Sequence, residues 1–131
     1  MSETDTNTLR KILIFAAVVE VGTGLVLVID PAIVVSLLLG AEVSSPGTQI
    51  ARVFGIALLA VGLACWPGRQ RAQDDAPALR GMLLYNAGIA LYLAYLATVR
   101  HMGGLLLWPA VVVHGAVAAL LIWTWVRRAK N

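Results

Sequence analysis

Four long apolar stretches divide this chain, and each is close to the length of a membrane-spanning helix. They run over Ile12–Ile29, Ile50–Trp66, Met82–Val99 and Leu105–Val126. A helix of about 20 apolar residues crosses a hydrocarbon core of about 30 Å, and it satisfies its own backbone hydrogen bonds there. With 60% hydrophobic and 13% charged residues, the chain has too few polar side chains to cover a soluble domain. The pattern predicts an all-α integral membrane protein with one transmembrane domain over residues 1–131.

We expect a four-helix bundle, because short connections make consecutive helices antiparallel. The expected bounds of the spanning helices are about residues 10–29, 50–66, 80–99 and 105–127. Asp30 and Pro31 interrupt the first apolar run, since Asp is a good N-cap and Pro fits the first helical position. The sequence thus predicts a short helix at about 31–39, which lies in the membrane interface or continues helix one after a kink.

The distribution of basic residues favours one orientation. When the connecting segments are assigned alternately to two sides, one side receives eight of the ten Lys and Arg residues: Arg10, Lys11, Arg69, Arg71, Arg80, Arg127, Arg128 and Lys130. The other side receives Arg52 and Arg100. Because the basic-rich side stays cytoplasmic, we expect a multi-pass protein of the bacterial inner (plasma) membrane with both termini in the cytoplasm. Topology also accounts for the net charge of +3, so no nucleic-acid partner is expected.

Two ionisable residues lie deep within the apolar stretches and are the main candidates for a functional site. Glu20 and His114 both lie about 13–14 Å from the same membrane boundary, at about 1.5 Å per residue. An ionisable group at that depth costs roughly 2.5–3.5 kcal/mol on insertion scales. Small residues at i−4 and i+4 favour an orientation towards the bundle interior: Ala16, Gly24, Ala110 and Ala118. We predict an intramembrane polar site of Glu20, His114, Tyr92 and Asn86.

Three interpretations of this site stay open. The first is a structural clasp in which Glu20 hydrogen-bonds His114, Tyr92 or Asn86. The second is a proton-coupled site that exchanges protons with a substrate, and the third is a metal or haem site. Zinc requires three or four protein ligands, so one Glu and one His fall short unless Tyr or a second subunit contributes. We therefore expect neither a metal nor a cofactor.

The third apolar stretch, Met82–Val99, carries two further patterns. Asn86 lies about 6 Å from the near edge of its apolar stretch at about 1.5 Å per residue. It shares a stripe with Ala90, Ala94 and Ala97, for which close helix packing is the favoured role and substrate binding the alternative. Tyr85, Tyr92 and Tyr95 lie on a different face, where packing or a quinone-like ligand explains them. On the other side of the membrane, Arg52 lies near Asp30 and Glu42, which predicts an ion pair or an anion site.

Two short segments resemble known families. The run Ala51–Leu63, with Asp30-Pro31 upstream, resembles the second-helix pattern of small bacterial four-helix DoxX-like and uncharacterised membrane proteins. Some of these are accessory subunits of quinone-linked oxidoreductases, so the resemblance implies a partner-bound role and no catalytic residue. Val19–Thr23 is similar to the stretch around the glutamate that couples drug and protons in the small multidrug resistance transporters. The later motifs of that family are absent, and the charge skew disfavours its dual-topology members.

From these observations we expect a non-catalytic accessory or scaffold subunit in a small homo-oligomer or a larger bacterial inner-membrane complex. The loops are too short for a soluble active site, so an enzyme is not the favoured interpretation. The first alternative is a proton-coupled transporter or channel that uses Glu20 and His114. The second alternative is an intramembrane redox, quinone- or cofactor-binding protein. In every case the lipid bilayer is a partner.

Overall fold

The computed structural model describes residues 3–67 and 76–130, and these residues form five α-helices and no strand. The helices are α1 (Glu3–Ile29), α2 (Pro31–Leu39), α3 (Ser45–Ala64), α4 (Ala76–Thr98) and α5 (Leu107–Lys130). All but α2 are long and apolar enough to cross a membrane. Their exposed surface is rich in apolar side chains such as Leu84 and Leu91, 78% and 74% exposed, which fits contact with lipid. The all-helical class and the four membrane-length helices are confirmed.

Several helices extend beyond the apolar stretches that predict them. α3 begins at Ser45, where the Ser44 hydroxyl accepts a hydrogen bond from the Gly47 N–H (3.3 Å). α4 begins at Ala76, six residues before the apolar stretch starts at Met82. Hydropathy reports which residues can sit in lipid, whereas capping groups and backbone hydrogen bonds decide where a helix begins. α3 and α4 therefore begin earlier in the sequence than hydropathy indicates.

α1 and α3 form a tight antiparallel pair because glycines replace larger side chains where the two helices meet. A Cβ atom on Gly55 would lie 2.8 Å from the carbonyl oxygen of Gly24, and one on Gly62 would lie 3.0 Å from that of Ala17. Small residues let helix backbones approach closely in a membrane. Gly24 and Gly62 are buried along this contact. No side chain larger than hydrogen fits at these crossings without separation of the helices.

α4 and α5 form the second pair, joined by a short connection. The two pairs contact each other much less extensively than the helices within each pair do. They meet in an apolar cluster near the two chain termini, which consists of Leu9, Leu13, Ala16, Ala17, Cys65, Leu79, Met82, Val117 and Leu121. We call this side of the molecule the terminal end, and the opposite side the α2 end.

At the α2 end, the connection between α4 and α5 docks on the last turn of α2. Gly104 N–H donates to the Leu38 carbonyl (3.2 Å) and Leu106 N–H donates to the Leu37 carbonyl (2.8 Å). These bonds satisfy carbonyl groups that a helix end otherwise leaves unpaired. Gly104 has no space for a Cβ atom, which would collide with the Leu37 carbonyl. Helix α2, which Asp30 caps by accepting from Ile33 N–H (3.4 Å), is thus held across the α2 end.

The described basic residues are divided between the two ends as the sequence arranges them. Arg10, Lys11 and Arg80 lie in helical turns at the terminal end, and Arg127 lies near the end of α5. Arg52 and Arg100 lie towards the α2 end. Arg69 and Arg71, which contribute to the predicted charge skew, lie outside the described residues.

Candidate intramembrane polar site

Three of the predicted site residues come together where the two helix pairs meet. Glu20 of α1 and Asn86 of α4 are each 1% exposed, and His114 of α5 is partly buried between them. Each lies in line with the buried residues of its own helix at spacings of three or four, such as Ala16 and Gly24 beside Glu20. That spacing follows one face of an α-helix. The buried face of each helix therefore carries one polar residue at this level.

A side-chain hydrogen bond joins Asn86 of α4 to His114 of α5. Asn86 Oδ1 lies 2.8 Å from His114 Nδ1, and Asn86 Nδ2 donates to the Met82 carbonyl at 2.9 Å. The bond to Met82 fixes which way the amide points, so Oδ1 accepts and His114 Nδ1–H donates. In a neutral imidazole with that tautomer, Nε2 is a hydrogen-bond acceptor. It has no hydrogen-bond partner among residues 3–67 and 76–130.

The Glu20 carboxyl group is buried without a full set of partners. Its Oε1 atom is 3.9 Å from His114 Nδ1, which is too long for a hydrogen bond. Oε1 has no hydrogen-bond partner in the part of the chain that the structure describes. The hydroxyl of Tyr85 approaches the same carboxyl group, and the Tyr85 ring meets His114 edge-on with centroids 5.8 Å apart. We call Glu20, Tyr85, Asn86 and His114 the polar cluster.

Tyr85 belongs to the cluster, whereas the predicted member Tyr92 does not contact it. Tyr92 is 59% exposed and stacks on Tyr95, with ring centroids 6.2 Å apart. Both of these tyrosines are exposed on α4. Tyr85 directly precedes Asn86 and lies at the level of His114, whereas Tyr92 lies about 10 Å further along α4 at about 1.5 Å per residue. The level at which α4 packs against α5 decides which tyrosine reaches His114, and sequence spacing contains no signal for that level.

The structure places Asn86 at the level of His114, because Asn86 Oδ1 lies 2.8 Å from His114 Nδ1. The distance of about 6 Å from the near edge of the apolar stretch, at about 1.5 Å per residue, stays a prediction.

A cavity of about 310 Å³ extends from the polar cluster towards the α2 end. It is lined by Val19, Thr23, Leu27, Val34, Leu38, Phe54, Leu58, Tyr85, Ile89, Leu93, Leu106, Pro109, Ala110, Val113 and His114. All five helices contribute to this wall, which is apolar except for Thr23, Tyr85 and His114. Ligand pockets have this composition, with a small number of polar groups in a mostly apolar wall. We call this space the central cavity.

The residues of the predicted ion pair or anion site do not form one group. Arg52 is exposed on α3, and no ion pair joins it to Asp30 or Glu42 among the described residues. Asp30 caps α2 instead. Asp30 and Glu42 border a shallow depression of about 630 Å³ at the α2 end, and Arg52 is outside it.

The site has no arrangement for a metal. In the two described stretches, no group of three or more His, Cys, Asp or Glu side chains could hold a metal ion. Glu20 and His114 are the two such residues of the polar cluster.

Four helices long and apolar enough to cross a membrane indicate a multi-pass membrane protein, and a buried polar cluster lies between them. No protein-family model, no curated protein and no solved structure matches the chain. The similarities to DoxX-like proteins and to small multidrug resistance transporters stay hypotheses.

Proposed function

We propose that this protein binds a small lipophilic molecule in the central cavity, within the membrane and without catalysing a reaction on it. The observation that carries the proposal is the cavity itself, which is lined by all five helices and ends at the polar cluster. An apolar wall provides affinity for a lipophilic molecule, and the few polar groups at one end provide its orientation.

The size of the cavity supports a compact ligand. A cavity of roughly 150 Å³ accommodates benzene in another protein, so a space of about 310 Å³ accommodates a fused two-ring molecule or a short branched one. The central cavity is mostly apolar and ends at polar side chains, as ligand pockets do. This composition supports a binding role beyond a structural clasp alone.

A binding role is compatible with an accessory subunit, which the sequence favours, because a subunit that holds a lipophilic molecule can serve a larger membrane complex. It fits a channel less well. A conducting channel requires access from both ends at once, and the apolar cluster around Leu13 and Leu121 closes the terminal end. The basic skew supports placing the terminal end in the cytoplasm and the protein in a bacterial inner membrane.

The experiment tests whether a bulky side chain placed in the cavity weakens ligand binding. The protein is reconstituted in lipid nanodiscs, and 2-naphthol binding is measured by equilibrium dialysis against empty nanodiscs. Ala110 lines the cavity, so Ala110→Phe should weaken binding about tenfold or more, as steric exclusion from a pocket does. The matched control is Ala119→Phe, at an exposed position of the same helix, which should bind as the unmodified protein does. Binding no greater than to empty nanodiscs, or equal effects of the two substitutions, would overturn the proposal.

A further inference from the structure

The polar cluster presents one hydrogen-bond acceptor to the central cavity. His114 lines the cavity, and its Nε2 atom is the acceptor that the bond to Asn86 leaves available. Glu20 is outside the cavity lining, and its Oε1 atom is buried against Tyr85 and His114. An acceptor that faces an apolar ligand without a donor is unfavourable. A ligand that supplies a hydroxyl group to His114 Nε2 removes this deficit, whereas one that offers only acceptors does not.

The central cavity continues sideways into a groove on the lipid-facing surface. This lateral groove, of about 530 Å³, runs between α1 and α2 and shares Val19, Thr23, Val34, Leu38 and Leu106 with the cavity. Gly22 lines the groove, and a Cβ atom at this position would meet nothing within 4 Å. The groove therefore has room for further atoms that are continuous with those in the cavity.

Access to the cavity through the α2 end is restricted by α2 itself. Val34 and Leu38 of α2 line both spaces, and two main-chain hydrogen bonds attach the last turn of α2 to the connection between α4 and α5. The apolar cluster closes the terminal end. The lateral groove is an opening that leaves these contacts intact, and its exposed apolar lining faces lipid.

We propose that the ligand is a membrane-dissolved alcohol or phenol with one alkyl chain, whose hydroxyl group donates to the polar cluster and whose chain leaves through the lateral groove. This inference rests on the proposed function and specifies its ligand. The cavity holds the head of the molecule, and the groove holds the first part of its chain. The remainder of the chain stays in the bilayer, so the molecule binds without leaving the membrane.

Three probes in nanodiscs test the inference: 2-naphthol, 2-methoxynaphthalene and 6-dodecyl-2-naphthol. The methoxy compound has no donor and should bind about tenfold more weakly than 2-naphthol, as expected when a site's buried polar group is left unpaired. Gly22→Phe fills the groove and should weaken binding of the dodecyl probe about tenfold or more, with binding of 2-naphthol unchanged. Gly88→Phe is the matched control, because Gly88 also has nothing within 4 Å of a Cβ atom but lies outside the groove.

The outcomes separate this inference from the proposed function. If 2-naphthol binds and depends on Ala110, but the dodecyl probe binds equally to the Gly22→Phe and Gly88→Phe variants, the groove is not the chain site. If the two compact probes bind equally, the hydroxyl group is not recognised. Either result overturns the inference and leaves the proposed function in place. If none of the probes binds to the unmodified protein, both proposals fail. Unchanged binding of 2-naphthol by the Gly22→Phe variant also shows that this variant is folded.

Discussion

A single methyl group at Gly55 should destabilise the protein, whereas the same methyl group at Gly88 should not. A Cβ atom at Gly55 would lie 2.8 Å from the Gly24 carbonyl oxygen and 2.8 Å from Leu27 Cβ. Neither of these atoms can move without movement of the α1 backbone. The two helices would have to separate until ordinary contact distances of 3.4 Å or more are restored. At Gly88 a Cβ atom meets nothing within 4 Å.

The magnitude follows from two opposing effects. Replacement of Gly by Ala in a helix stabilises by roughly 0.5–1 kcal/mol, and this gain applies to both positions. Insertion of a methyl group into a packed contact costs about 1–3 kcal/mol, and this cost applies to Gly55. The gain cancels in the comparison, so Gly55→Ala should be less stable than Gly88→Ala by about 1–3 kcal/mol. The steric effect is the larger, because the close contacts involve backbone atoms.

The assay is reversible unfolding in mixed micelles with increasing sodium dodecyl sulfate, followed by far-ultraviolet circular dichroism. The free energies of unfolding of the two alanine variants are compared with that of the unmodified protein. Equal stability of the two variants, or a more stable Gly55→Ala, would refute the close packing of α1 on α3.

Three further predictions concern the polar cluster, the α2 end and the orientation. Asn86→Leu should lower the free energy of unfolding by about 1–2 kcal/mol in the same assay, because it leaves His114 Nδ1 without its acceptor; no change would show that the bond contributes nothing. Gly104→Ala should speed hydrogen exchange of the Leu106 amide, since the added Cβ collides with α2, whereas Gly103→Ala, with nothing within 4 Å, should not. With Cys65 replaced by Ala, an impermeant maleimide added outside spheroplasts should label His101→Cys and not Ala129→Cys. Labelling of the second position alone would reverse the proposed orientation.

The sequence predicts the four long helices because the requirement for them is local. Each helix needs about 20 apolar residues in succession, and a window of the sequence contains that information. The short helix at Pro31–Leu39 is equally local, since Asp30 and Pro31 supply its cap and first turn. Helix ends are harder to predict from the sequence, as the start of α4 at Ala76 shows. The residues before Met82 are helical without being apolar enough to be counted.

The candidate site depends on relations between helices that no single window contains. Depth along the membrane predicts that Glu20 and His114 lie at one level, and the structure has them 3.9 Å apart. Which helices pair is a different matter: α1 packs mainly on α3 and α4 on α5. The glycines at 24, 55 and 62 permit the first pairing, but similar residues such as Gly22 and Gly88 meet no neighbour. Tyr85 and Tyr92 share a face of α4 and differ in their level along it, and the packing of α4 against α5 determines which level meets His114.

The central claim is that a lipophilic molecule occupies the central cavity, and contacts between ligand and protein test it most directly. The measurement is a set of intermolecular nuclear Overhauser effects between 2-naphthol protons and methyl-labelled protein in micelles. The account predicts contacts to Leu58, Leu93 and Val113, which line the cavity. It predicts none to Leu9 or Leu121 of the terminal end. Contacts confined to lipid-facing methyl groups such as Leu84, or to the terminal-end cluster, would contradict it.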